Sequence, residues 1–247
     1  MKSTVRYDVT EEPGTCLVFA EKDSMDMTLQ NTPSRQPVPL VLLHGLGQKP
    51  DSWKPVMRHL PAYIPVIAPD LESGVTEEDA SFERLAASFE QLMESIQGPA
   101  DIAGLSLGAV VALDYALRHP EKVRSLILAA PQYKTPKTLL RLQSTLFSVA
   151  PEKLFASAGL TKPQMLSLSR SMMTLDYADQ VPALSCPVLI LVGSRDRINR
   201  KAALTMTDRV PGARLRMVEG SGHEINADQP ERMAAVMRLF LREAAAR

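Results

Sequence analysis

The chain of 247 residues is 45% hydrophobic and 23% charged, so it can bury a full globular core without a metal or disulfide staple. Its 28 basic residues balance 28 acidic ones, which gives no electrostatic reason to expect nucleic acid or an anionic membrane as partner. No stretch nears the roughly 18 consecutive apolar residues of a membrane span, and the opening MKSTVRYDVT lacks the apolar core of a signal peptide. Cys16 and Cys186 stand apart from any metal-ligand spacing, so two reduced thiols in a cytoplasmic protein are expected.

Short apolar runs alternate with helical patterns, the signature of an α/β chain with a mostly parallel central sheet flanked by helices. Residues 21–38 read as a surface loop. Residues 39–44 (PLVLLH) are apolar at successive positions, as a strand buried on both faces must be. Further strands are predicted over 65–69, 100–105, 124–129, 187–193 and 213–218. Helices are predicted over 51–60, 77–96, 107–118, 201–209 and 229–246. In the second of these Phe82, Leu85, Phe89, Leu92, Met93 and Ile96 recur at spacings of three and four. Between 133 and 181 no strand pattern appears, only helical patches at 138–149 and 162–174. This block reads as a small helical cap inserted into a core made of 1–132 and 182–247.

The sharpest chemical signal is Gly104-Leu105-Ser106-Leu107-Gly108, which follows a predicted strand and opens a predicted helix. On so tight a turn the serine hydroxyl is thrust out above the sheet, at the positive end of the helix dipole. A serine needs a base to take its proton. Of the four histidines, His223 lies in the loop between the last predicted strand and the final helix, whereas His59 and His119 sit near prolines at helix ends. A carboxylate must then hold the far nitrogen of the imidazole. Asp196 follows the strand 187–193, while the competing loop Ala130-Pro131-Gln132-Tyr133 offers no acid and Asp70 precedes the serine. Two N–H donors for a developing oxyanion, worth about 3 kcal/mol each, are expected from the amides of Leu107 and of Leu46 in His44-Gly45-Leu46-Gly47. His44 itself is expected to pin that loop.

These motifs, in the order elbow serine, acid, histidine, resemble the α/β-hydrolase superfamily, in the branch of small soluble esterases, lactonases, thioesterases and C–C bond hydrolases. The likeness runs from about residue 38 to the C-terminus outside the insert; the first 37 residues fit the usual leading hairpin poorly. It implies Ser106 as nucleophile, Asp196 as acid, His223 as base, amides of Leu46 and Leu107 in the oxyanion hole, a cap, and no cofactor. Ser106 stands where epoxide- and halide-cleaving members carry Asp, which disfavours those activities.

The reading that follows is a serine esterase cleaving a carboxylic ester of a small, largely apolar molecule through an acyl-enzyme. Leu105 and, from the cap, Phe147, Met165, Met172 and Met173 are candidates for its acyl pocket. Thioester, lactone, C–C bond and acyltransfer chemistry stay open on the same triad, as does a non-catalytic binding role. A homodimer also stays open.

Overall fold

A computed structural model describes residues 17–19, for their backbone, and residues 37–76, 78–134 and 160–246. The expected helix 138–149, Phe147 and Cys16 lie outside the described residues, as does most of the loop 21–38.

Seven strands form one sheet in the order β1-β3-β2-β4-β5-β6-β7. They are β1 (Leu17–Phe19), β2 (Leu40–Leu43), β3 (Val66–Ala68), β4 (Ala100–Leu105), β5 (Val123–Ala129), β6 (Val188–Gly193) and β7 (Arg214–Val218). All neighbours pair in parallel except the edge strand β1, which runs antiparallel to β3. Each strand that the sequence pattern predicts is present within one residue at either end.

Alternation along the strands divides the core between the two faces. Val41 and Leu43 enter one apolar cluster with α2 (Phe82–Glu94) and α3 (Leu107–Arg118). Leu40 and Leu42 enter the other, with α1 (Lys54–Met57) and the C-terminal helix α7 (Pro230–Ala245). All four side chains of β2 are fully buried, each contributing about 2 kcal/mol. β7 is the far edge, and two successive residues of it, Arg216 and Met217, are exposed.

α3 spans its predicted range and α7 lies within one residue of its own, whereas two other helices depart from expectation at their starts, where caps explain why. α2 begins at Phe82 because Ser81 accepts a hydrogen bond from the Arg84 amide. α5 (Arg197–Arg209) begins four residues before the expected 201, with Asp196 as its cap. The segment predicted as a helix over 51–60 is a 3-10 turn, Pro50–Trp53, followed by the single turn α1, in a stretch broken by Pro50, Pro55 and Pro61. A short helix α6 (Ile225–Asp228), which the sequence pattern does not flag, follows His223.

Within 133–181 the described residues hold α4 (Lys162–Ser171), capped by Thr161 in a reciprocal box with Gln164. Leu160, Met165, Leu168, Tyr177 and Val181 join the apolar cluster shared by α2 and α3. Ser171 Oγ accepts from the Phe82 amide at 2.8 Å, tying α4 to the start of α2.

Candidate active site

The C-terminal edge of the parallel strands gathers every residue singled out for chemistry. Ser106 stands between the last residue of β4 and the first of α3, with φ 52° and ψ −109°. A non-glycine residue in that region is strained, and here the surroundings leave no alternative. A Cβ on Gly104 would lie 2.2 Å from the Gly108 carbonyl oxygen, so strand and helix touch backbone to backbone. The Ser106 amide donates to Ala129 O at 2.9 Å, which anchors the turn on β5.

Asp196 ends the turn after β6 and is 7% exposed. Its two oxygens divide the work. Oδ1 accepts from the Asn199 amide at 3.1 Å and so caps α5. Oδ2 faces His223 Nδ1 at 3.0 Å and accepts from Asn199 Nδ2 at 2.7 Å. Burial pushes the Asp196 pKa up, but the bonds from His223 and Asn199 outweigh it, and the net shift is downward. An ionised Asp196 draws the imidazole hydrogen to Nδ1 and leaves the lone pair on Nε2.

No hydrogen bond joins Ser106 to His223 among the described residues. The histidine loop runs along the same edge of the sheet. Ser221 O accepts from the Arg195 amide at 2.9 Å, beside the end of β6. Five residues on, Asn226 Nδ2 donates to Gln48 Oε1 and to Ser52 O, both at 3.2 Å, in the loop after β2. Since β4 lies between β2 and β6 in the sheet, residues 221–226 pass across the end of β4, where Ser106 stands.

The amides of the loop 44–49 are spent unevenly. The Gly45 N–H donates to Gln48 Oε1 at 3.3 Å and the Gly47 N–H to Glu72 Oε1 at 3.4 Å. Leu46, between them, has no acceptor for its amide among the described residues. The Leu107 amide, at the first position of α3, precedes the helical ladder and is likewise unspent. Below the loop, wholly buried His44 accepts the Leu71 amide at Nε2 and gives its Nδ1 hydrogen to Gly45 O, both at 3.0 Å. Lys49 Nζ bridges Asp70 and buried Glu72, at 3.2 and 3.3 Å. Burial pushes the Glu72 carboxyl upward despite that lysine.

The remaining candidates lie as follows. Leu105 is buried in the apolar cluster of α1 and α7, and Met165 in the cluster of α2 and α3. Met172 packs at the border of the latter, and Met173 is half-buried. Cys186 is a free thiol whose burial raises its pKa to about 11. Among the described residues no group of three His, Cys, Asp or Glu side chains could hold a metal ion, and no helix is long and apolar enough to cross a membrane. The sequence reading misses Asn199, Gln48 and Asn226. Only Asn199 left a trace, as the third residue after a capping Asp.

Comparison with known proteins places the chain in a family. A pimeloyl-[acyl-carrier protein] methyl ester esterase of Neisseria meningitidis serogroup B is 31% identical over 247 residues, covering 81% of this chain and 91% of that protein. A thermophilic esterase from Thermogutta terrifontis superposes with a TM-score of 0.74 at 23% identity, covering 94% and 93% of the two chains. The enol-lactonase of Burkholderia xenovorans does so with 0.77 at 15% identity, covering 93% and 96%. Both structures share the fold. The sequence model of the alpha/beta hydrolase family matches residues 40–236, and the chain belongs to that family.

Proposed function

We propose that the chain hydrolyses a carboxylic ester of a small, largely apolar molecule through a covalent acyl-enzyme on Ser106. The contact of Asp196 Oδ2 with His223 Nδ1 at 3.0 Å, in a loop that crosses the strand bearing the strained Ser106, is the observation that carries this reading. His223 Nε2 takes the Ser106 proton as Oγ attacks the ester carbonyl carbon. The carbonyl oxygen gains the negative charge and is met by the amides of Leu46 and Leu107. Collapse expels the alcohol, which leaves with the proton held on His223. Water then attacks the acyl-enzyme, gives its proton to the same nitrogen, and the acid departs as Ser106 is restored. Asp196 stays ionised throughout and stabilises the imidazolium.

In this reading the segment 133–181 serves as the cap, and the partly exposed Met172 and Met173 belong to the wall of the acyl pocket, whereas Leu105 and Met165 fill the two apolar clusters. The support is topological: the segment leaves the sheet at the C-terminal end of β5, beside Asp196 and Ser106, and returns before β6. The test is turnover of p-nitrophenyl esters of rising chain length by the native chain and by Ser106→Ala, with and without an added alcohol. Hydrolysis that disappears in the variant supports the reading. Ester exchange to the alcohol in place of hydrolysis makes the enzyme an acyltransferase.

One surface favours a more specific substrate. Arg195, Arg197, Arg200 and Lys201 are exposed on either side of Asp196, around Ile198 at 65% exposure, and none has an ion pair among the described residues. A methyl ester borne by an acyl-carrier protein, the substrate in the Neisseria relative's name, needs a docking face beside the nucleophile. A carrier-bound ester should show a KM that rises with salt, while a free methyl ester should not.

A further inference from the structure

Asp196 and His223 do not meet alone. Asn199, 4% exposed, gives both its backbone N–H and its Nδ2 to the Asp196 carboxylate. Its own Oδ1 accepts from Gln132 Nε2 at 2.6 Å. Gln132 comes from the turn after β5, where Ala130 takes φ 48° and swings the chain toward α5. The amide of Asn199 is thereby fixed, oxygen toward Gln132 and nitrogen toward the carboxylate. The reverse orientation would set an oxygen against Asp196 Oδ2.

The same Nδ2 lies 3.0 Å from His223 Nδ1, as close as Asp196 Oδ2 does. With the Nδ1 hydrogen given to Asp196, that contact joins two donors and bonds neither. Position 199 therefore stands at acid distance from the imidazole without acting as its acid.

Resting on the proposed triad, we infer that Asn199, oriented by Gln132, is the positioning residue for Asp196, and that position 199 is a second seat from which a carboxylate can serve His223. The downward pKa of Asp196, won against burial partly by the two Asn199 bonds, is consistent with this. An exchange of the two side chains preserves every partner. Asparagine caps a helix as well as aspartate does, so α5 keeps its cap in Asp196→Asn. Gln132 would then donate to one oxygen of the new carboxylate while the other faces His223.

The experiment compares Asp196→Asn, the exchange Asp196→Asn/Asn199→Asp, and Asn199→Leu, all checked for fold by circular dichroism. Asp196→Asn should lose about 10⁴-fold in kcat, and the exchange should regain at least about tenfold of it. Asn199→Leu removes a donor from the carboxylate and so raises the proton affinity of the Asp196–His223 pair. The acid limb of its kcat/KM profile should move up by about half to one pH unit. A residue with a merely structural role would lower kcat without moving that limb. If Asp196→Asn is impaired while the exchange regains nothing and the limb stays in place, the inference is overturned and the triad stands. If the exchange does not fold, the Asn199→Leu profile decides alone. Near-native turnover in Asp196→Asn would overturn the triad itself, and the inference with it.

Discussion

A Cβ on Gly108 would stand 2.3 Å from the carbonyl oxygen of Leu43, because the first turn of α3 rests directly on the end of β2. That contact explains how the start of α3 and the loop that follows β2 share a fixed spacing. The carbonyls of Leu43 and His44, which crowd the same point, belong to the chain that leads into Leu46. Gly108→Ala should therefore destabilise the fold by about 3 kcal/mol, since backbone atoms have nowhere to yield. Urea denaturation followed by circular dichroism checks it. An unchanged midpoint would mean that the helix can lift off the strand.

The proposed nucleophile and base should act as a unit. Ser106→Ala/His223→Ala is expected to be scarcely slower than either single variant, because losing one member already abolishes the use of the other. Rates of chromogenic ester hydrolysis for the four proteins decide it. Losses that multiply would assign His223 a separate task.

The cluster beneath the loop 44–49 gives a pH-dependent stability. Burial opposes ionisation of Asp70, yet its pKa falls from the ordinary 3.8 to about 2. His44 Nε2 is 3.5 Å from Asp70 but already accepts the Leu71 amide, so the pull is assigned to Lys49 and the Glu72 amide. Because the folded value lies below the unfolded one, the contribution is complete above about pH 4 and is lost as pH falls through about 2. Allowing for partial exposure, Asp70→Asn should cost about 1–2 kcal/mol at pH 7. The gap from the native chain should close as the acid limit is reached. Denaturation at pH 7 and in steps below pH 4 measures it, and a gap independent of pH would remove the ion pair from the account.

The architecture was legible because it is written in local pattern. β2 and β6 read as strands since every residue in Leu40–Leu43 and Val188–Gly193 is buried, and buried runs need no alternation. The elbow read as an elbow because glycine is required wherever backbones touch. The partners that hold the site were not legible. Gln48 and Asn226 meet across 178 residues of sequence, and nothing local distinguishes either amide from a surface one. Asn199 was hidden for another reason: the expected start of α5 at 201 left it in a loop, and only the cap by Asp196 draws it into the first turn. Leu17–Phe19, which pairs antiparallel with β3, is a strand that the sequence reading does not assign.

The central claim is that the hydroxyl of Ser106, on the strained turn at the end of β4, becomes acylated. The most direct measurement is intact and peptide mass spectrometry after treatment with a small fluorophosphonate. One adduct on the peptide carrying Ser106 is predicted, absent in Ser106→Ala and much slowed in His223→Ala, with the fold of both variants intact. Labelling at another serine, or undiminished labelling and ester turnover in Ser106→Ala, would contradict it.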